Sequence, residues 1–408
     1  MRLSDSLFRN SLLVALSLLL TFAGCRESVP AEIKSSHWQF SFELAPDTIA
    51  RVQATLQGGD WYLENGGEVI VLTETSDSTW STPVFDGEVA LKKNKSGTLV
   101  GYWEDLMRTD QYRVPLVVAP VHVDQTQEAA DHSRWAVTFG RGEGAYGGTL
   151  LINEGDAGQP LLATIMTPTG DYRFLHGDRT KKEDSNGEVR ELWTLQTFDG
   201  AHLFWLQAEL KDGKLKQGVF KSGTHYTVNW EAARLPNTNL APHSTRPDMN
   251  AAPINIQGIN AQGKSVSWSQ ANAPADVTIL EVTGTWCPNC MDAGRSLAKI
   301  QRGRPDLDII SLCFERLGDP SQALGRIARF KSNIGATWPH WWAGPASKGA
   351  AADSLGFLDQ VLSFPTTIFV PRNGTPVVHS GFSGPATGVY YEEQQARFEA
   401  ILDSLSGR

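Results

Sequence analysis

Cysteine is scarce in this 408-residue chain, and its scarcity narrows the kinds of protein the chain can be. There are four cysteines, Cys25, Cys287, Cys290 and Cys313. A secreted domain braced by disulfides carries many more for its length. Cys25 ends an N-terminal apolar run, so the body of the chain keeps one close pair and one single thiol. This small number of cysteines, with one close pair, indicates that the cysteines take part in chemistry rather than form structural disulfides.

Blocks of basic residues and clusters of metal-ligating residues are also missing. The formal net charge is −9 at pH 7, which argues against a nucleic-acid partner. His340 and His379 have no matched ligands at metal spacing, so we predict no metal site. We therefore expect no cofactor other than the cysteine pair itself.

The long uncharged run lies at the N-terminus, where a basic start precedes the Leu-rich residues 11–22. Such a segment is a secretory signal, and it is short for a membrane span. Small residues followed by Cys25 resemble a bacterial lipoprotein cleavage site, which implies a signal peptide over residues 1–24 and a lipid on Cys25. Because Arg26 rather than Asp follows, we expect an outer-membrane anchor facing the periplasm. The alternative is an ordinary signal peptide, and in both cases the chain is exported.

Residues 33–230 consist of short runs rich in Val, Ile, Phe, Trp and Thr, separated by Gly-containing turns. No helical stripe interrupts them, so this region is predicted to be an all-β sandwich or barrel. We divide it into two β-rich halves, residues 25–120 and 121–235. Residues 78–103 align with 191–220, and the two segments share the turn sequence FDG. Two related halves are one explanation, and a chance match is the other, since Asp-Gly turns are common.

Residues 236–252 are rich in Pro and Asn and read as a linker. In residues 253–408 the pattern changes to β-α-β-α, then a β-hairpin and a last helix, which predicts an α/β thioredoxin-like domain with a central mixed sheet. Its elements are the strand DVTILEVTG, a helix from 288 to about 302, the buried parallel strand LDIISLCF, a helix capped by Asp319, the hairpin TTIFVPRNGTPVVHSG and the C-terminal helix.

The close pair lies where the first of these helices begins. Two intervening residues put Cys287 and Cys290 one helical turn apart, near enough for their sulfurs to bond. Unpaired N–H groups and the helix dipole stabilise a thiolate on Cys287. We therefore predict that Cys287 attacks a substrate disulfide and that the more buried Cys290 resolves the mixed disulfide.

The stretch TWCPNC, with SFPTT far downstream, resembles the TlpA/ResA-like branch of the thioredoxin superfamily, which are membrane-associated extracytoplasmic thiol-disulfide oxidoreductases. The resemblance implies a cis peptide at Phe364–Pro365, placed against Cys287, that leaves the Phe364 backbone free for an extended substrate. It also implies that Pro365 keeps metals off the dithiol. Trp286 and Thr366 belong to the same implied substrate-binding surface, with Trp286 shielding the active disulfide.

The family resemblance favours a reductant of protein disulfides that receives electrons from an inner-membrane thiol donor of the DsbD/CcdA type. An oxidase or isomerase with the same site is an alternative, and so is a cargo-binding lipoprotein with a vestigial thioredoxin domain. Intact Cys287, Cys290 and Pro365 argue against the vestigial domain. A zinc ribbon needs a second cysteine pair, and neither the copper-chaperone nor the peroxiredoxin pattern matches.

Four further features outside the pair receive specific predictions. Glu281 is a carboxylate inside an apolar strand, so we predict that it accepts the Cys290 proton, with a solvent-facing strand-end Glu as the alternative. Asp292 is predicted to lie on the helix surface. Cys313 is predicted to be a small core residue. The run ATWPHWWAG is predicted to be core or a domain seam rather than the rim of a substrate groove.

Overall fold

Three β-sheets organise the part of the chain that the computed structural model describes. The described residues are 37–82, 84–108, 110–121, 132–153, 160–183, 186–236 and 254–407. The predicted signal peptide, Cys25 and nearly all of the predicted linker lie outside them. The described residues all belong to one compact unit.

The first sheet is a closed barrel of eight antiparallel strands in which each strand pairs with the next and β1 pairs with β8. Alternation of apolar and polar residues produces it, because one face of each strand must point inward. In β8, for example, Val114, Leu116 and Val118 are buried between exposed neighbours. The strands are β1 (His37–Ala45), β2 (Thr48–Gln57), β3 (Asp60–Asn65), β4 (Glu68–Ser76), β5 (Thr79–Thr82), β6 (Gly87–Lys93), β7 (Leu99–Asp105) and β8 (Arg113–Pro120).

The second sheet also closes on itself, because β9 pairs with both β10 and β17 and β11 pairs with both β10 and β13. The two-residue strand β12 is attached to β11. Aromatic side chains such as Trp135 and Phe139 fill the interior. The strands are β9 (His132–Phe139), β10 (Tyr146–Asn153), β11 (Leu161–Thr167), β12 (Gly170–Asp171), β13 (Leu175–Glu183), β14 (Val189–Phe198), β15 (Leu203–Lys211), β16 (Lys214–Ser222) and β17 (Tyr226–Arg234).

The two FDG turns occupy equivalent places in the two barrels. Phe85, Asp86 and Gly87 connect β5 to β6, and residues 198–200 connect β14 to β15. When β12 is set aside, each turn joins the fifth strand of its barrel to the sixth. Equivalent positions in two barrels of the same strand order favour a repeat over a chance match.

The third sheet is mixed, and its order is β19-β18-β22-β21-β20-β23-β24. The neighbours β20, β21 and β22 are parallel, and all seven residues of β20 are buried, as expected for a central strand. Among the described helices, none is both long and apolar enough to cross a membrane. The elements are β18 (Asn255–Ile259), β19 (Ser265–Ser269), β20 (Val277–Thr283), α1 (Pro288–Gly303), β21 (Asp308–Glu315), α2 (Pro320–Asn333), β22 (His340–Pro345), α3 (Lys348–Leu355), β23 (Thr366–Pro371), β24 (Val377–Ser380) and α4 (Val389–Ser406).

This sheet contains more elements than the sequence pattern predicts. The β18–β19 hairpin, β22 and α3 are additions to the predicted order. Strand β22 begins within ATWPHWWAG and ends one residue after it, and the consecutive aromatic residues conceal any period of two. Trp338 and Trp341 of this run are buried, which confirms its interpretation as core. Helix α3 is short and rich in Ala and Gly, so it carries no apolar stripe for the sequence to reveal.

Candidate active site

The cysteine pair lies at the N-terminus of α1, directly after the central strand β20. Cys287 is the N-cap residue, and its sulfur accepts the backbone N–H of Cys290 at 3.2 Å. Pro288 occupies the first helical position, where its missing N–H leaves no bond unmade. Cys287 and Cys290 are both free thiols. The local sequence therefore places the Cys287 sulfur beside the unpaired backbone amides at the start of α1.

A loop from the opposite side of the site meets the Cys287 sulfur. The Phe364–Pro365 peptide is cis, as predicted, and the Cys287 thiol donates to the Phe364 carbonyl oxygen at 3.6 Å. Trp286 donates its indole N–H to the Phe314 carbonyl at 2.9 Å. Its ring meets the edge of Phe364 with 5.4 Å between centroids. The two aromatic side chains thus form one wall beside the thiol.

Thr366 follows this loop but faces inward. It is fully buried, and its hydroxyl donates to the Ser363 carbonyl at 2.8 Å. Its side chain therefore helps to shape the loop that carries Phe364. Its predicted place on the substrate-binding surface stays a prediction.

The second thiol and Glu281 are both buried, and burial dominates their protonation. Burial, followed by the neighbouring Cys287, raises the pKa of Cys290 well above its ordinary value. Burial raises the pKa of Glu281 to about 7, against the opposing effect of its bond from Ser311. Ser311 donates to one carboxyl oxygen of Glu281 at 2.5 Å, and the other oxygen has no partner among the described residues.

Glu281 lies on the face of β20 that turns toward the pair. Ile279, two residues earlier, belongs to the buried cluster that contains Cys290, and side chains two apart share a strand face. The alternative of a solvent-exposed strand-end Glu is wrong, because Glu281 is fully buried in mid-strand. A buried carboxyl with a pKa near neutrality and a free oxygen is suited to accept a proton.

Both barrels cover the dithiol. Val84 and Phe85 of the first barrel and Ala201 of the second pack into the cluster that contains the pair. Cys287 keeps only 7% of its surface exposed, and Cys290 keeps none. The nucleophile is therefore reached through a narrow opening and not across an open face.

Ion pairs and hydrogen bonds also connect both barrels to the helices of the third sheet. Asp86 of the first FDG turn accepts from Arg326 and, at 2.8 Å, from Arg329 of α2. Asn289, between the two cysteines, donates its side-chain amide to the Asp171 carbonyl at 3.0 Å. Asp171 in turn accepts the backbone N–H of Gly384. The two barrels are thus held over the dithiol by polar contacts as well as by packing.

The prediction that Asp292 lies on the helix surface is wrong, because the residue is only 8% exposed. It accepts from Arg173 of the second barrel at 2.9 Å. Arg173, itself buried, also donates to Glu68 of the first barrel at 2.6 Å and lies 3.8 Å from Asp199. One guanidinium therefore joins both barrels to the helix that carries the dithiol. We call Arg173, Glu68, Asp171, Asp199 and Asp292 the buried ion cluster.

The buried ion cluster holds four carboxyls and one guanidinium, and the half-exposed Arg295 lies 3.9 Å from Asp292 at its edge. Burial raises the pKa of Glu68 to about 7 and that of Asp171 to about 6. Burial also raises the pKa of Asp292 despite Arg173. For Asp199 burial is outweighed by His202 and Arg173, and its pKa falls to about 2. The sequence offered no spacing by which this cluster could be predicted.

The remaining residues named in the sequence analysis, Cys313, His340 and His379, are buried. Cys313 is fully buried in β21, as predicted for a small core residue. His340 and His379 are buried, and burial lowers the pKa of each to about 4. In the described part of the chain, no three His, Cys, Asp or Glu side chains are grouped so as to hold a metal ion.

Comparisons with known proteins give partial structural likenesses only. No family model matches the chain, and no curated protein matches it. A secreted disulfide oxidoreductase of Mycobacterium tuberculosis, described as homologous to E. coli DsbE, is 16% identical with a TM-score of 0.26 and covers 35% of this chain and 94% of that one. A putative thiol:disulfide interchange protein DsbE from Chlorobium tepidum is 19% identical with a TM-score of 0.27, covering 40% and 99%.

The thioredoxin domain of a thiol-disulfide oxidoreductase from Bacteroides vulgatus is 16% identical with a TM-score of 0.26, covering 39% of this chain and 99% of that one. Each match is confined to a part of this chain. At these identities and TM-scores the likenesses carry no argument about function, which must come from the site itself.

Proposed function

We propose that the chain is a thioredoxin-like thiol-disulfide oxidoreductase that reduces protein disulfides through the Cys287–Cys290 pair. One observation carries the proposal: the Cys287 sulfur is held at a helix N-terminus, 3.2 Å from the Cys290 amide and 3.6 Å from the Phe364 carbonyl. The sulfur meets the unpaired amides of the helix start, and the thiolate is the form of a cysteine that attacks a disulfide. The reaction needs no cofactor beyond the two thiols.

The cycle transfers two electrons from the pair to the substrate. The Cys287 thiolate attacks one substrate sulfur, the substrate S–S bond breaks, and the leaving sulfur takes up a proton. Cys290 then gives its proton to Glu281 and attacks the Cys287 sulfur. The second substrate thiol leaves, and the pair becomes a disulfide. An external thiol must then reduce that disulfide.

The remaining predicted site residues provide surface and support in this proposal. Trp286 and Phe364 form the apolar wall beside Cys287, and the Phe364 carbonyl accepts from the Cys287 thiol, so an extended substrate that pairs with this backbone takes the place of that bond. Pro365 holds the loop in place and keeps metals off the pair. Thr366 supports the same loop from inside through its bond to Ser363.

The proposed setting is the bacterial cell envelope, and its support is the N-terminal sequence. Cys25 carries the lipid after removal of residues 1–24, and the chain faces the periplasm from the outer membrane. An inner-membrane thiol protein of the DsbD/CcdA type is the proposed electron donor. The proposed domains are residues 25–120, 121–235 and 253–408 with a linker at 236–252, and the three separate sheets support this division.

A Cys290→Ser variant tests the exchange chemistry. Without the resolving thiol, the mixed disulfide through Cys287 is expected to accumulate, because nothing within the site releases it. Non-reducing electrophoresis of the variant from its native host, followed by mass spectrometry, measures the adducts. The matched control is the Cys287→Ser/Cys290→Ser double variant, which should form none. If the single variant also forms none, the exchange function is refuted and a cargo-binding role gains support.

The direction of electron flow is tested by equilibrating the pair with glutathione. A reductant is expected to have a potential nearer about −270 mV than about −120 mV. The oxidised fraction is read by alkylation and mass spectrometry across a series of glutathione ratios. A potential above about −150 mV assigns the same site to an oxidase instead.

A further inference from the structure

A pocket beside the dithiol lies where both barrels meet the third sheet, and the proposed reaction cycle does not use it. Its volume is about 450 Å³, within the range of about 300–1,000 Å³ that is typical of small-ligand sites. The first barrel contributes Phe85, Trp103 and Tyr112, and the second contributes Gly200, His202 and Phe204. Trp286 and Arg316 close it from the side of the third sheet.

The two FDG turns meet at this pocket. Gly200 approaches Phe85 so closely that a Cβ on the glycine would lie 3.3 Å from the Phe85 ring. Phe85 and the neighbouring Ala201 also pack into the cluster around Cys287. The repeated turns therefore line the pocket and cover the nucleophile at the same time. A disulfide that reaches Cys287 from this side must pass between them and Trp286.

The pocket lining carries charges of both signs, and Arg316 is its cation without an ion-pair partner among the described residues. The lining holds two guanidiniums, Arg108 and Arg316, and one carboxylate, Asp105. Arg108 is paired with Asp110 outside the pocket lining. Arg316 is exposed, lies 5.0 Å over the Trp286 ring and makes no ion pair within the described part of the chain. It is thus a cation beside the proposed route to Cys287 and is open to a ligand carboxylate.

We propose that this pocket binds the substrate and selects slender disulfides that carry a carboxylate near the sulfur, with Arg316 as the specificity-determining residue. The inference rests on the proposed function of the Cys287–Cys290 pair. The substrate class is an extended, peptide-sized acidic disulfide, either a free small molecule or an extended segment of a protein. A disulfide on the face of a folded protein is excluded by the cover over Cys287.

The test uses two small disulfides of nearly equal length and opposite charge, 3,3′-dithiodipropionate and cystamine. Reduction of each by the full chain, with an external dithiol to regenerate the pair, gives a ratio of kcat/KM values. The ratio is compared between variants, so the different intrinsic reactivities of the two compounds cancel. Arg316→Gln is expected to lower the ratio of anionic to cationic substrate about threefold to tenfold, as for a partly exposed charge pair.

Two control variants separate the role of Arg316 from a general charge effect. Arg316→Lys keeps the charge and should stay near the wild-type ratio. Arg302→Gln removes a charge from the exposed last turn of α1 and should leave the ratio unchanged. If Arg316→Gln changes the ratio no more than Arg302→Gln does, the pocket inference is overturned while the exchange function stands.

The source of the substrate is distinguished by a second pair of probes, two ten-residue peptides with one internal disulfide flanked by Glu or by Lys. A charge preference that depends on Arg316 for the peptides supports an extended protein segment, and one confined to the small compounds supports a free metabolite disulfide. If wild type and Cys287→Ala reduce every probe equally slowly, it is the proposed function that fails.

Discussion

Replacing Arg173 with Met is expected to lower the free energy of unfolding by about 3–5 kcal/mol. The side chain is 3% exposed and contacts carboxylates of both barrels and of α1. Its loss leaves Glu68 buried without its counter-charge and leaves Asp292 with only the half-exposed Arg295 at 3.9 Å, which costs far more than the loss of a surface pair. Urea denaturation followed by tryptophan fluorescence measures the change.

The matched control is Lys216→Met in the second barrel. Lys216 lies 2.8 Å from Asp212, and the two side chains are 38% and 74% exposed. Its removal is expected to cost about 0–1 kcal/mol. Equal losses for the two variants would contradict a structural role for the buried ion cluster.

The loss of stability caused by Arg173→Met is also expected to depend on pH. Without the guanidinium, the buried carboxyls bind protons more tightly in the folded protein than in the unfolded chain. Stability of the variant is therefore recovered as the pH falls toward about 5 and is lost as the pH rises through neutrality. If Arg173→Met loses the same free energy of unfolding at pH 5 and at pH 8, the loss does not come from buried carboxylates that lack a counter-charge.

Replacing Glu281 with Gln is expected to slow release of the mixed disulfide by at least about 100-fold at pH 7.5. Gln has the same shape but cannot accept the Cys290 proton, whose thiol has a raised pKa because it is buried. In the wild type the release rate should rise as the pH passes through about 7, where Glu281 ionises. In the variant this rise should move to higher pH. Stopped-flow single-turnover kinetics with a preformed mixed disulfide measures it.

Glu315→Gln is the matched control for this kinetic effect. Glu315 is a second buried carboxyl whose pKa burial raises to about 7, and it bonds to the backbone and hydroxyl of Thr285. It lies on the neighbouring strand β21. Its replacement should leave the pH profile of release unchanged. An equal slowing by both variants would assign Glu281 to structure and remove its proposed role as proton acceptor.

Stability provides an independent readout for Glu281. Its pKa rises from 4.5 to about 7 on folding, so the folded protein binds the proton more tightly. The resulting stability is fully present below about 4.5 and is lost as the pH rises through about 7. Glu281→Gln should therefore gain up to roughly 3 kcal/mol over the wild type between pH 4.5 and pH 8. Urea denaturation at both pH values compares the two proteins.

Local patterns account for the parts of the site that the sequence predicts. The two-residue spacing and the Pro at the first helical position put Cys287 at the start of α1. A continuous apolar run predicts the buried central strand, and a charge inside that run draws attention to Glu281. Each of these inferences depends on neighbours within one or two helical turns or a single strand.

The sequence by itself therefore determined the strand-rich first part and the helix that presents the pair. The cis peptide at Phe364–Pro365 is implied by the family resemblance, and the repeat of the FDG turn is favoured by its equivalent place in the two barrels. Only the tertiary structure decided that both FDG turns cover the dithiol, that Asp292 is buried and that Arg173 bonds to it. Arg173 and Asp292 are 119 residues apart, and a lone Asp on a helix looks the same in sequence whether it faces water or a guanidinium. Periodicity reports which face of an element is apolar, but the partner of a buried charge is set by how separate sheets pack together.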